Sequence, residues 1–157
     1  MNLPEYIAVA EVRRTCKEIG IRDWTRLKEP KATASEAKVI LDLINTEKMP
    51  IDVLEFRAGL DVELEHGIRF NDANVTNNHP VVTGKIVLAH MKESLDYYKL
   101  LEVAELEGDL LKAVSAGNSS KIKTVYNKLA KAKIVLYSAA SKQTTSEKAS
   151  TNKQKKR

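Results

Sequence analysis

Apolar residues recur at helical spacing along most of the chain. Val9, Val12, Cys16 and Ile19 step by three or four residues and are followed by Gly20, which predicts a helix over 4–19. Residues 21–32 are polar and contain Pro30, so they read as a connector, with Trp24 pinning it to the body. Thr33 and Glu36 have capping-box spacing and predict a second helix to about residue 46, with Val39, Ile40, Leu43 and Ile44 inward. Lys48-Met49-Pro50 breaks it. A third helix runs from near Asp52 to Gly67 on the stripe Val53, Phe56, Leu60 and Leu64.

Residues 68–78 are a polar loop. Pro80 suits a first helical turn and Asn78 a cap, which predicts one long fourth helix over 79–107. Residues 109–116 continue or restart it. Gly117-Asn118 is a turn, and Ser119 or Ser120 caps a last helix to about residue 141. Residues 142–157 contain no large apolar residue and read as a disordered basic tail. The predicted fold is all-α, a compact bundle of five or six helices. The layout is an N-terminal helix and connector (1–32), a helical module (33–107), C-terminal helices (108–141) and the tail.

Composition supports helix over sheet. Aromatics are 5% of the 157 residues, with 6 Gly and 4 Pro, too few for a β-sandwich or barrel of this size. No apolar run approaches the roughly 18 residues of a membrane span, and the first residues do not read as a signal peptide. The lone Cys16 suits a reducing compartment. These features predict a cytoplasmic or otherwise intracellular protein that is neither secreted nor held in a membrane.

The net charge of +5 is unevenly spread. Residues 33–109 carry 7 basic and 15 acidic side chains, whereas residues 110–141 carry 6 Lys and no acid. The chain ends Lys153-Gln154-Lys155-Lys156-Arg157 without an aromatic to stack on a base. Lys153, Lys155, Lys156 and Arg157 are therefore candidates only for weak, sequence-independent phosphate contacts.

One constellation carries chemistry. On a helical wheel the apolar stripe of the fourth helix is Val82, Ile86, Ala89, Tyr97, Leu100, Leu101 and Ala104, and His90 and Glu93, at i and i+3, fall in its middle. Glu63 and His66 repeat that spacing at the end of the third helix, where Glu63 and Glu65 oppose the helix dipole. The two helices read E-x-x-H and H-x-x-E, a pattern related to that of carboxylate-bridged metal bundles. Glu63, His66, His90 and Glu93 are thus candidate ligands for one divalent metal, Zn, Fe or Mn, with Glu65, Tyr97 and Tyr98 around them. The alternative is a buried His–Glu pair that only staples two helices. His79, at the start of the fourth helix, suits a cap or a solvent position better than a ligand.

The runs FRAGLDVELEHG (56–67), NVTNNHP (74–80) and TGKIVLAHMKESLDYY (83–98), with TASEAKVI (33–40) upstream, resemble an uncharacterised all-α domain family. The resemblance covers about residues 33–107. It implies a helical fold and the same candidate site, and no reaction. That family occurs in microbes and large DNA viruses, which implies a host-cell or virion setting. His79 departs from the acidic residue expected there.

The chain has no phosphate-binding Gly loop, no G-x-S-x-G and no nucleophile–base pair. The reading is a small non-catalytic helical protein with a structural or interaction role, binding a protein partner or itself, with a His/Glu cluster suited to a divalent metal. The alternatives are a metal-dependent enzyme, and an accessory or virion-associated protein that touches nucleic acid through its basic end.

Overall fold

The computed structural model describes the backbone of residues 7–154 and the side chains of residues 7–141 apart from Asn71. Among the described residues there are six α-helices and no strand. They are α1 (Val9–Glu18), α2 (Ala34–Ile44), α3 (Val53–Arg69), α4 (Pro80–Glu93), α5 (Tyr97–Ser115) and α6 (Ser119–Gln154). Single 3-10 turns lie at Trp24–Arg26 and Asn71–Ala73. The chain divides into two compact units, Met1–Leu95 and Asp96–Arg157.

In the first unit α2, α3 and α4 pack on one another, and α1 meets α4. The core is Val12 and Cys16 from α1, Ile40 from α2, Phe56, Leu60 and Leu64 from α3, and Val87 and Met91 from α4, with Trp24 from the connector. Local chemistry sets the helix starts. Thr33 and Glu36 form the predicted capping box. Asp52 caps α3 by accepting from the N–H groups of Leu54 and Glu55. Beyond α1, Gly20 holds a φ of 72°, a left-handed conformation that glycine takes without strain.

Several faces differ from those predicted. Val39 and Leu43 of α2 are exposed, and Ala37, Ile40, Leu41 and Ile44 point inward. On α4 the buried residues are Pro80, Thr83, Gly84, Val87, Leu88 and Met91, and Ala89 is exposed. Both shifts have one cause. These helices carry apolar residues over more than half their circumference, so periodicity alone leaves the buried arc undecided. Gly84 is the residue that decides it for α4. A Cβ there would stand 2.5 Å from Ile40 Cγ2 and 3.1 Å from Ile44 Cδ1, so only glycine lets α4 sit this close to α2.

The long helix predicted over 79–107 is two helices. Ser94 is extended, with φ −156° and ψ 129°, and Asp96 precedes the first turn of α5. The Ser-Leu-Asp sequence carries no glycine or proline. Its short polar side chains compete with helical backbone hydrogen bonds, which is the signal a stripe count overlooks. Of the two cap positions expected at the start of α4, Asn78 and His79, it is His79 that caps: imidazole Nδ1 accepts from the N–H of Val82 at 3.3 Å.

The second unit is a helical hairpin. Helices α5 and α6 pack along each other and are joined by a turn over 116–118, in which Gly117 has φ 63°. Asn118, not Ser119 or Ser120, caps α6 by accepting from the N–H of Lys121 at 3.0 Å. Ile122, Val125, Leu129, Ala132 and Leu136 form its inner seam, alternating steps of three and four. The backbone of α6 is helical from Ser119 to Gln154. The side chains of the predicted tail lie outside the described residues.

Candidate functional site

Glu63 is the centre of the predicted constellation. It sits on the inner flank of α3 with its side chain 15% exposed. His66 Nδ1, one turn on, lies 3.8 Å from Oε2, and His90 Nε2, from α4, lies 3.8 Å from Oε1. The packing of α3 on α4 thus brings three of the four candidate ligands together. Glu93 is not among them. It is the last residue of α4 and exposed, because the buried arc of that helix is rotated from the predicted one. Glu65 points outward to Arg69, 3.3 Å away. Helix α3 runs on to Arg69, so His66 and Arg69 occupy its last turn, and the acidic pair opposes the dipole less than predicted.

Tyr97 and Tyr98 belong to α5, in the second unit, and pair edge to face at 5.3 Å between ring centres. Among the described residues, no group of three or more His, Cys, Asp or Glu side chains is arranged to hold a metal ion. The side chains of Lys153, Lys155, Lys156 and Arg157 lie outside the described residues.

A cavity of about 290 Å³ opens beside Glu63. Glu63, His66 and Thr83 give it polar wall, and Phe70, Val75 and Ile86 give it apolar wall. The Thr83 hydroxyl is buried and has no hydrogen-bond partner among the described residues. Gly67 lines the same space, and a Cβ there would overlap the Asn78 amide oxygen. The Asn74 amide N–H donates to the Gly67 carbonyl at 2.9 Å, fastening the 70–78 loop to the end of α3. Phe70 is half-exposed, with the Arg69 guanidinium 5.4 Å from its ring centre.

A family model described as "Protein of unknown function (DUF5661)" matches residues 12–107. The chain belongs to this family. The DUF5661 match begins inside α1 and takes in the connector, all of α2, α3 and α4, and the first part of α5. It therefore contains the whole Glu63 cavity. No curated protein and no solved structure matches the chain.

Two polar clusters in the DUF5661 region were not foreseen. Glu36 is 4% exposed and accepts from Arg22 Nε at 2.8 Å, Arg22 Nη2 at 2.6 Å, the Thr33 N–H at 2.7 Å and the Trp24 indole N–H at 3.3 Å. Burial pushes its carboxyl up, but the Arg22, Thr33 and Trp24 donors outweigh burial and bring it down to about 2. The sequence signal was the capping box, which explains only the Thr33 N–H donor.

The second cluster is His79. Its Nδ1 accepts from Val82, so the neutral ring carries its proton on Nε2 and donates to Thr15 Oγ1 at 3.1 Å. The Thr15 hydroxyl in turn donates to Glu11 at 3.5 Å. Burial lowers the pKa of His79 below its ordinary 6.5, and the nearby Glu11 only partly offsets this. The sign follows. The unfolded chain takes up the proton more readily, so this contribution is complete above about pH 6.5 and is lost as pH falls through the lowered folded value. Urea unfolding at about pH 7.5 and about pH 5.5, either side of the ordinary histidine value, should show wild type losing stability on acidification. His79→Asn, which keeps a capping acceptor, should lose less; an equal loss in both proteins excludes His79 as the cause.

Proposed function

We propose that the DUF5661 domain of this chain is a small non-catalytic interaction module that takes its ligand in the cavity beside Glu63. The observation that carries the reading is the wall of that cavity. A mostly buried carboxylate and the His66 imidazole share it with a buried threonine hydroxyl, without a hydrogen-bond partner among the described residues, and an apolar side. Concave, mainly apolar sites with a few convergent polar groups are where proteins hold small ligands. The chemistry calls for a ligand with a cationic or N–H-donating head for Glu63 and a flat apolar body for Phe70, Val75 and Ile86. An aryl amidine is a suitable probe. It should raise the melting temperature of wild type, benzoate should not, and Glu63→Gln should abolish the response. Equal response of wild type and Glu63→Gln, or none from either, defeats this reading.

A divalent metal is the second reading. What favours it is an imidazole nitrogen 3.8 Å from each oxygen of Glu63, a donor set suited to Zn, Fe(II) or Mn(II). In that case Zn²⁺ or Mn²⁺ should stabilise the protein, EDTA should reverse the effect, and His66→Ala with His90→Ala should remove it. Metal-independent melting with a surviving amidine response selects the first reading over the second.

A further inference from the structure

Thr83 is 2% exposed, and its hydroxyl, on the wall of the first unit's cavity, has no hydrogen-bond partner among the described residues. Inside a helix a threonine hydroxyl ordinarily bonds back to a carbonyl one turn earlier. Here that carbonyl, of His79, accepts the Thr83 N–H at 2.8 Å, and the hydroxyl does not join it. A buried hydroxyl without a partner destabilises a fold, and valine has the same shape without that cost. The two residues before Thr83, Val81 and Val82, are valines. Packing in this turn of α4 therefore does not call for a hydroxyl.

The loop side of the cavity is engaged with itself. The Asn74 amide N–H donates to the Gly67 carbonyl at 2.9 Å. The Thr76 hydroxyl donates to the Asn74 amide oxygen at 3.3 Å and accepts from the Asn78 N–H at 3.1 Å. These bonds hold the 70–78 loop in place and leave it little to offer a ligand. Thr83, from α4, lines the same space as Glu63, from α3, and differs from the loop residues in having its hydrogen-bonding capacity uncommitted.

The two polar groups set the chemistry of the head they can share. A carboxylate only accepts hydrogen bonds, and a hydroxyl both accepts and donates. A ligand seated between α3 and α4 meets the two groups from different helices. The N–H groups of an amidinium leave two nitrogens in one plane and point apart, so one can serve Glu63 while another reaches Thr83 Oγ1. The N–H groups of an alkylammonium all leave a single nitrogen, which must then sit within hydrogen-bonding distance of both. A ligand that fills the cavity and misses Thr83 seals the hydroxyl away unpaired, and sites with such a group discriminate strongly against the analogue that fails to pair with it.

We infer that Thr83 is the specificity-determining residue of this cavity: its hydroxyl accepts a second N–H from the ligand, so that the site selects planar two-nitrogen cations on a flat apolar body, the aryl amidines, over ammonium ions on the same body. This deepens the ligand reading proposed above and rests on it, with the Glu63 carboxylate taking the first N–H.

The test titrates the full-length protein calorimetrically with benzamidine and with benzylamine, which share a ring and differ in the head. Wild type should bind benzamidine about tenfold or more tightly than benzylamine, the ordinary worth of one charge-assisted hydrogen bond. Thr83→Val should weaken benzamidine by about the same factor and leave benzylamine unchanged, whereas Thr83→Ser, which keeps the hydroxyl, should retain the preference. The free protein supplies a readout in which no ligand takes part: Thr83→Val should melt at or above the wild-type temperature, because it removes a buried hydroxyl that has no partner. A Thr83→Val protein that melts lower than wild type, or that binds benzamidine as tightly, overturns the role of Thr83 and leaves the ligand reading standing. Equal binding of the two probes by wild type overturns the selectivity. Failure of wild type to bind benzamidine overturns the ligand reading and this inference with it.

Discussion

Glu36→Ala is expected to cost about 3 kcal/mol, from the loss of charge-assisted hydrogen bonds to a buried carboxylate, about 1.5–3 kcal/mol, together with a helix cap worth about 1 kcal/mol. The substitution strips the Arg22 guanidinium, the Trp24 indole and the Thr33 N–H of their common acceptor. It also undoes the capping box that starts α2. A linked result is expected with pH. The Glu36 carboxyl is held down from 4.5 to about 2, which corresponds to about 3 kcal/mol of stability. Because the folded pKa is depressed, this contribution is complete above about pH 4.5 and is lost as pH falls towards 2. Urea unfolding along a pH series checks both results. Wild type should weaken steeply in that acid window and Glu36→Gln much less; parallel curves would assign the acid sensitivity to other carboxylates.

Gly84→Ala should cost about 2 kcal/mol although alanine is the better helix former. Propensity alone favours alanine by about 1 kcal/mol at a helix interior. Against that stands overpacking, typically about 1–3 kcal/mol and more where nothing can yield. Here the obstructing atom is Ile40 Cγ2, next to the backbone of a fully buried side chain, with Ile44 Cδ1 and Phe56 Cζ closing the other sides. The cause can be isolated. Ile40→Ala by itself should cost about 2–5 kcal/mol through the cavity it leaves. In that background the added methyl has space, so Gly84→Ala should become neutral or stabilising. Simple additivity of the two changes would mean that α4 does not rest on Ile40 at this glycine.

Residue spacing revealed much of the fold because most of its boundaries are local. The capping box at Thr33, the start at Asp52, proline at position 80 and the turn at Gly117 each depend on a few neighbouring residues, and all lie where expected. What spacing could not supply was rotation. The apolar arcs of α2 and α4 are wide, and the choice of buried edge depends on a glycine in one helix meeting an isoleucine in another. The same rotation separates the members of the candidate site. Glu63 and His90 lie near the α3–α4 seam whichever edge is buried, whereas Glu93, at the last position of α4, turns out to solvent. The Arg22–Glu36 pair was hidden for another reason. A buried carboxylate shows in a sequence only as a charge among apolar residues, and Glu36 already had a sufficient explanation as a capping residue.

The two polar clusters of the first unit differ in how much chain they enclose. The bond from Arg22 to Glu36 spans 14 residues, whereas the bond between Thr15 and His79 spans 64. Closing the longer loop costs about 1.3 kcal/mol more in chain entropy, since the cost grows only with the logarithm of length. That bias favours closing the Glu36 knot, which needs only the connector and the first turn of α2, ahead of the His79 bond, which joins α1 to the start of α4 across the whole unit.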